Sequence, residues 1–186
     1  MITFYDATSA RFSTRRMRYV AGFLFTWTML LFFSSTLEAQ KLEVQANLQA
    51  ALYKKILALA TKGTGLKPQV LVVFDNRNTD DIMAVSKAME DLGLAIITAK
   101  NGQIPSSFGG IRAAFLSTPD DKMLAACQAN GVITFSGYRE LVRDGKASIA
   151  IVNEGGKPKP MIHKARLTAE KPELLAQLAA VSLIVE

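Results

Sequence analysis

Seven residues stand where this chain could do chemistry. Asp75, Asn76 and Asn78 follow one apolar run, Ser117 and Thr118 another, and Ser136 and Gly137 a third. Carboxylate, amide and hydroxyl groups placed after buried strands can line a crevice at the carboxyl ends of a parallel sheet, where helix N-termini add free amide donors. The chemistry on offer is hydrogen bonding to a small ligand or to a partner surface. The same residue types are also ordinary turn and capping residues, so plain loops explain the positions equally well. Groups suited to catalysis are scarce. Cys127 is the only cysteine and His163 the only histidine, so an internal disulfide is excluded, and a Ser–His–acid triad and a histidine-rich metal site both lack support. Cys127 sits among Leu124, Ala125, Ala126 and Ala129, the setting of a buried, inert thiol. His163 suits a structural hydrogen bond better than metal ligation. The sequence contains no HExxH, no CxxC and no glycine-rich phosphate loop, so neither an enzyme nor a cofactor is expected.

The elements that must position those seven residues are readable from periodicity. Val44, Leu48, Ala51, Leu52, Ile56, Leu57 and Ala60 have helical spacing, with Lys54 and Lys55 on a solvated flank. Gly63, Gly65 and Pro68 end that helix. The continuous apolar run from Val70 to Phe74 is the pattern of a strand covered on both faces. Thr79 is placed to cap the next helix, with Asp80 and Asp81 in its first turn and Ile82, Val85, Met89 and Leu92 as its buried stripe. Strands are expected at Leu94–Thr98, Ile111–Leu116 and Val132–Phe135. Between the last two lies a helix from Met123 to Asn130, with Thr118 as cap and Pro119 at its first position. A short helix follows at Tyr138–Val142. Ala147–Asn153 and Pro158–His163 read as a hairpin, its second strand demoted by Pro158 and Pro160 to a sheet edge or an irregular strand, before a closing helix from Lys171 to Val181. The β-α-β alternation predicts an α/β fold: a single three-layer domain, with a mostly parallel sheet flanked by helices and a C-terminal antiparallel hairpin.

The N-terminus has the layout of an export signal. Arg18 precedes an apolar run from Tyr19 to Phe33, and small and polar residues lead to Leu37-Glu38-Ala39. The run is shorter than the roughly 18 residues of a membrane-spanning helix. Residues 1–39 are therefore expected to be a signal peptide and 40–186 the mature domain, with a retained anchor as the alternative. Met17 would serve as the start of such a signal, making Met1 to Arg16 an upstream extension; Arg15-Arg16 precede an h-region too apolar for twin-arginine export. The expected location is the periplasm. Residues 1–39 hold Arg11, Arg15, Arg16 and Arg18 against Asp6 and Glu38, so their removal lowers the formal +6 by two. The remaining charges form no basic stripe, which argues against a nucleic-acid partner.

Several segments together resemble the YfiR-like family of exported bacterial proteins. They are LYKKILAL at Leu52–Leu59, AFLSTPD at 114–120, GVITFSGYRELVRDGKASIAIV at Gly131–Val152, and LLAQLAAV at 174–181. These motifs are mostly core positions and turn glycines, and they cover nearly the whole mature chain. Two departures stand out. His163 occupies a place where many members have an asparagine, and Cys127 is alone, so no switch built on a cysteine pair carries over. The resemblance implies a periplasmic α/β domain that acts by binding. Its implied mode is docking onto the periplasmic part of an inner-membrane signalling protein, such as a sensor or a diguanylate cyclase, and holding it inactive. The family supplies no catalytic residues. A periplasmic solute-binding module using the strand-end crevice is the alternative, and self-association stays open.

Overall fold

The computed structural model describes residues 42–63, 65, 67–75, 79–118 and 120–186. The expected signal peptide and Asn76, Asn78 and Pro119 lie outside them. In chain order the elements are α1 (Ala46–Ala60), β1 (Gln69–Phe74), α2 (Thr79–Asp91), β2 (Ala95–Lys100), β3 (Ile111–Leu116), α3 (Asp121–Ala129), β4 (Ile133–Ser136), α4 (Arg139–Arg143), β5 (Ile149–Glu154), β6 (Lys157–His163), α5 (Lys164–Glu170), α6 (Pro172–Leu178), a 3-10 turn (Ala179–Val181) and β7 (Leu183–Val185). The strands form one sheet in the order β2-β1-β3-β4-β5-β6-β7. Strands β1 to β5 run parallel, β6 returns antiparallel to β5, and β7 lies parallel to β6. The fold is the expected α/β arrangement with a C-terminal antiparallel pair. No helix among the described residues is long and apolar enough to cross a membrane.

Side chains alternate across the pleat, so each central strand feeds two cores. Val70 and Val72 of β1, with Ala113 and Phe115 of β3, join the larger cluster with Ile56 and Leu57 of α1 and Ile82, Val85 and Met89 of α2. Leu71 and Val73, with Ala114 and Leu116, point the other way onto Met123, Leu124 and Cys127 of α3. Burial pushes the Cys127 thiol up to about 12, which keeps it protonated and unreactive. Strand β4 departs from the apolar rule. Ile133 and Phe135 serve the larger cluster, but Thr134 and Ser136 are buried polar residues. Thr134 and Ser148 are satisfied by Glu170 from α5. Its carboxylate accepts the Thr134 amide and hydroxyl, each at 2.9 Å, and the Ser148 hydroxyl, with Arg166 at 3.4 Å.

Several local expectations need correction. Asp120, not Thr118, caps α3, accepting the Lys122 and Met123 amides on Oδ1 at 3.0 and 3.1 Å. A carboxylate at that position adds favourable charge to the helix N-terminus, which a hydroxyl does not. Thr79 is already helical, and its hydroxyl donates back to the Asp75 carbonyl at 3.1 Å. Leu48 is exposed, while Gln49, Ala50 and Tyr53 turn inward on α1. Strand β6 is not an edge: Met161–His163 pair with β7, which periodicity alone does not reveal. Its proline-bearing half, Lys157–Pro160, pairs on one side only, as proline without an amide donor requires. The closing helix expected over Lys171–Val181 is α6 followed by the 3-10 turn, and a further helix, α5, precedes it, with His163 capping α5 by accepting the Arg166 amide on Nδ1 at 3.3 Å.

Candidate binding site at the carboxyl edge of the sheet

Strand order reverses between β1 and β3. The chain leaves β1 through α2 toward β2 on one side, then returns to place β3 on the other. Helices α2 and α3 pack on opposite faces, so the carboxyl ends of β1 and β3 open between them, the usual location of a ligand in such sheets. Asp75 follows β1, Ser117 and Thr118 follow β3, and Ser136 and Gly137 close β4. Topology therefore brings these five to one edge of the sheet.

Their side chains are not equivalent. The Ser117 hydroxyl donates to the Val73 carbonyl at 3.3 Å, and the Ser136 hydroxyl donates to the Leu116 carbonyl at 3.0 Å while accepting the Tyr138 amide at 3.2 Å. Both serines are spent stitching neighbouring strand ends together. Gly137 is required by close approach: a Cβ there would run into Leu42 Cδ2 and come within 3.5 Å of Gln49 Oε1 and Phe115 Cζ. Thr118 differs, because its buried Oγ1 has no hydrogen-bond partner.

Two further residues belong here that sequence reading did not single out. Tyr138 is 2% exposed and Gln49 0%, yet Tyr138 Oη and Gln49 Oε1 have no hydrogen-bond partner. Such groups are rare in a folded interior because each forfeits its hydration. Burial, with the charges of Asp81 and Asp75 close by, pushes the Tyr138 hydroxyl up to about 12. Position next to Gly137 in the strand-end loop was the signal for Tyr138. For Gln49 it was the helical spacing from Tyr53, one turn on.

The segment before α1 lies over this edge. The Glu43 carboxylate takes Arg139 Nε and Nη2 at 2.8 and 2.9 Å and the Asn153 amide at 3.1 Å. Gln49 Nε2 donates to the Val44 carbonyl at 2.9 Å. The Arg139 hydrogen bonds hold the Glu43 carboxyl below the usual range. A folded value below the unfolded one means that the pair stabilises above the unfolded value and that this is lost as pH falls through the folded one. With both side chains part-exposed the contribution is about 1 kcal/mol or less. Thermal melts taken from neutral pH into acid should show a small stability loss that Glu43→Gln removes; an unchanged acid limb in that variant would refute the assignment.

Among the described residues, no group of three His, Cys, Asp or Glu side chains is placed to hold a metal ion. The arrangement can accept or donate hydrogen bonds to a bound group. No family model matches this chain, and no curated protein matches it. A solved structure of a LacI family transcriptional regulator from Bifidobacterium animalis subsp. lactis DSM 10140 is similar at 12% sequence identity and a TM-score of 0.37. The match covers 76% of this chain and 58% of that one, so the chain spans little more than half of the regulator's length.

Proposed function

We propose that this chain is a non-enzymatic periplasmic regulator that modulates an inner-membrane signalling protein, a sensor or a diguanylate cyclase, by protein contact. The observation carrying this reading is the edge strand β2. Among the described residues it pairs only with β1, and none of its six residues is buried. Ile97 is 38% exposed on it and Ile104 45% exposed in the loop that follows. Proteins usually blunt such an edge with charge, proline or a covering loop, because its free amides and carbonyls template pairing with another chain. Here the strand carries a single charge, Lys100. An apolar, unpaired edge suits strand addition by a partner, with main-chain hydrogen bonds supplying affinity and Ile97 filling a pocket. The resemblance to the YfiR-like family and the export-signal layout support the partner class.

The test is capture of periplasmic sensor domains by the full chain. Recovery of a membrane signalling protein, lost with Ile97→Glu while the melting temperature holds, is the expected result. Failure to recover any such protein, or recovery unaffected by Ile97→Glu, would sink the reading. A second reading, a small-ligand module, is favoured by the unpartnered buried atoms of Gln49, Thr118 and Tyr138.

A further inference from the structure

We infer that Leu42 and Glu43 are an intramolecular strap seated in a peptide-recognition site, which takes from a partner an extended segment with an apolar residue ahead of a glutamate. The Glu43 carboxylate meets the Arg139 guanidinium through two hydrogen bonds, Nε at 2.8 Å and Nη2 at 2.9 Å, and accepts the Asn153 amide at 3.1 Å. A guanidinium fork with a main-chain N–H beside it binds one carboxylate in a fixed orientation. One residue earlier, Leu42 lies against Gly137, where a Cβ would run into its Cδ2. Phe115 Cζ and Gln49 Oε1 border the same spot, each 3.5 Å from where that Cβ would stand. A seat for an apolar side chain and a fork for a carboxylate thus adjoin at the carboxyl ends of β4 and β5.

The cradle keeps its shape without the strap. Arg139 Nη2 also donates to the Asn153 carbonyl at 3.1 Å, and Glu154 lies 3.8 Å from Nη1, so β5 holds the guanidinium in place when Glu43 leaves. The strap is held more loosely. Val44 is buried and fixes its end, but Leu42 is half-buried and Glu43 exposed. Among the described residues, no main-chain hydrogen bond joins Leu42 or Glu43 to the sheet. The bridge to Arg139 is part-exposed, which weakens it. Leu42 also brings no donor to Gln49 Oε1, which stays buried without a partner. Exchanging straps between two copies would create no contact that each copy lacks, whereas a partner held elsewhere adds its own. Because the strap is tethered, it competes at an effective concentration of about millimolar, and a free peptide is kept out until the strap is released.

The experiment is fluorescence anisotropy with a labelled peptide of residues 40–47, Gln-Lys-Leu-Glu-Val-Gln-Ala-Asn, titrated with the full chain. Leu42→Ser/Glu43→Gln is expected to bind it at least about tenfold more tightly than the parent does, since the tethered competitor is gone. That gain should vanish when Arg139→Gln is added, and when the peptide carries glutamine in place of its glutamate. Thermal melts check that each variant is folded. Glu43→Gln alone, which disturbs no apolar contact, should show a gain in the same direction and decides the matter if the double variant does not fold. Equal binding to parent and strap variants, including none to either, would make the contact purely structural and overturn the site. A gain that survives Arg139→Gln or the glutamine peptide would put the peptide elsewhere and overturn it too. A parent dimer that dissociates in Glu43→Gln would assign the seat to a second copy and overturn the partner.

Discussion

Glu170→Ala is expected to destabilise the domain by about 3–5 kcal/mol, the range for removing one partner from a buried charged network. The carboxylate is 4% exposed and is the point where α5 is tied to the sheet. It accepts the Thr134 amide and hydroxyl and the Ser148 hydroxyl, and it faces Arg166 at 3.4 Å. Truncation would leave an amide and a guanidinium without that acceptor inside a cavity. Glu170→Gln keeps the shape and one acceptor oxygen, so a smaller loss of about 1–2 kcal/mol is expected. The two variants also differ from Glu43 in their pH behaviour. Burial pushes the Glu170 carboxyl up, opposed by the Ser148 and Thr134 donors and by Arg166. A carboxyl whose folded value lies above its unfolded value binds protons more readily when folded, so its contribution to stability falls as pH rises through the folded value. That slope is opposite in sign to the one expected from Glu43, and Glu170→Gln should remove it. Urea unfolding across pH measures both effects, provided the slope against denaturant stays constant so that midpoints report stability. A midpoint change equivalent to less than about 1 kcal/mol for Glu170→Ala would show that the network is not needed for the fold.

Tyr53 is the second residue on which much rests. It is 0% exposed, its ring stacks on Phe135 with centroids 4.5 Å apart and meets Phe115 edge-on at 5.8 Å, and its hydroxyl bridges two strands. The hydroxyl donates to the Ser136 carbonyl at 2.6 Å and accepts the Ile151 amide at 3.2 Å. Tyr53→Ala is expected to cost about 3–5 kcal/mol through the lost packing and the cavity left behind. Tyr53→Phe keeps the ring and isolates the hydroxyl. It strands the Ile151 amide in a dry interior and should cost about 1–3 kcal/mol. Because Ser136 precedes Gly137 and Tyr138, the same variant should loosen the loop that bears Tyr138. Amide exchange at 136–139 would then accelerate more than exchange in β1. Equal stability of Tyr53→Phe and the parent would refute the bridging role.

The alternation of elements and the identity of the central strands were legible in the amino-acid order. The runs Val70–Phe74 and Ile111–Leu116 read correctly because a strand buried on both faces needs only its own residues to declare itself. The stripe Ile82, Val85 and Met89 read correctly because helical periodicity is equally local. The strand-end placement of Asp75, Ser117, Thr118, Ser136 and Gly137 followed from the same pattern. Tertiary structure alone decided what those positions can do. The hydroxyls of Ser117 and Ser136 are consumed by carbonyls of neighbouring strands 44 and 20 residues away in sequence. The inward face of α1 is set by Tyr53 reaching partners 83 and 98 residues away, which turns Gln49 in and Leu48 out. Strand β7 and the interior position of Met161–His163 depend on pairing with a segment that has no strong strand pattern of its own. Apolar spacing is written in neighbouring residues, whereas the allocation of hydrogen-bond partners is settled only when distant segments meet and each buried polar group must find, or go without, a counterpart.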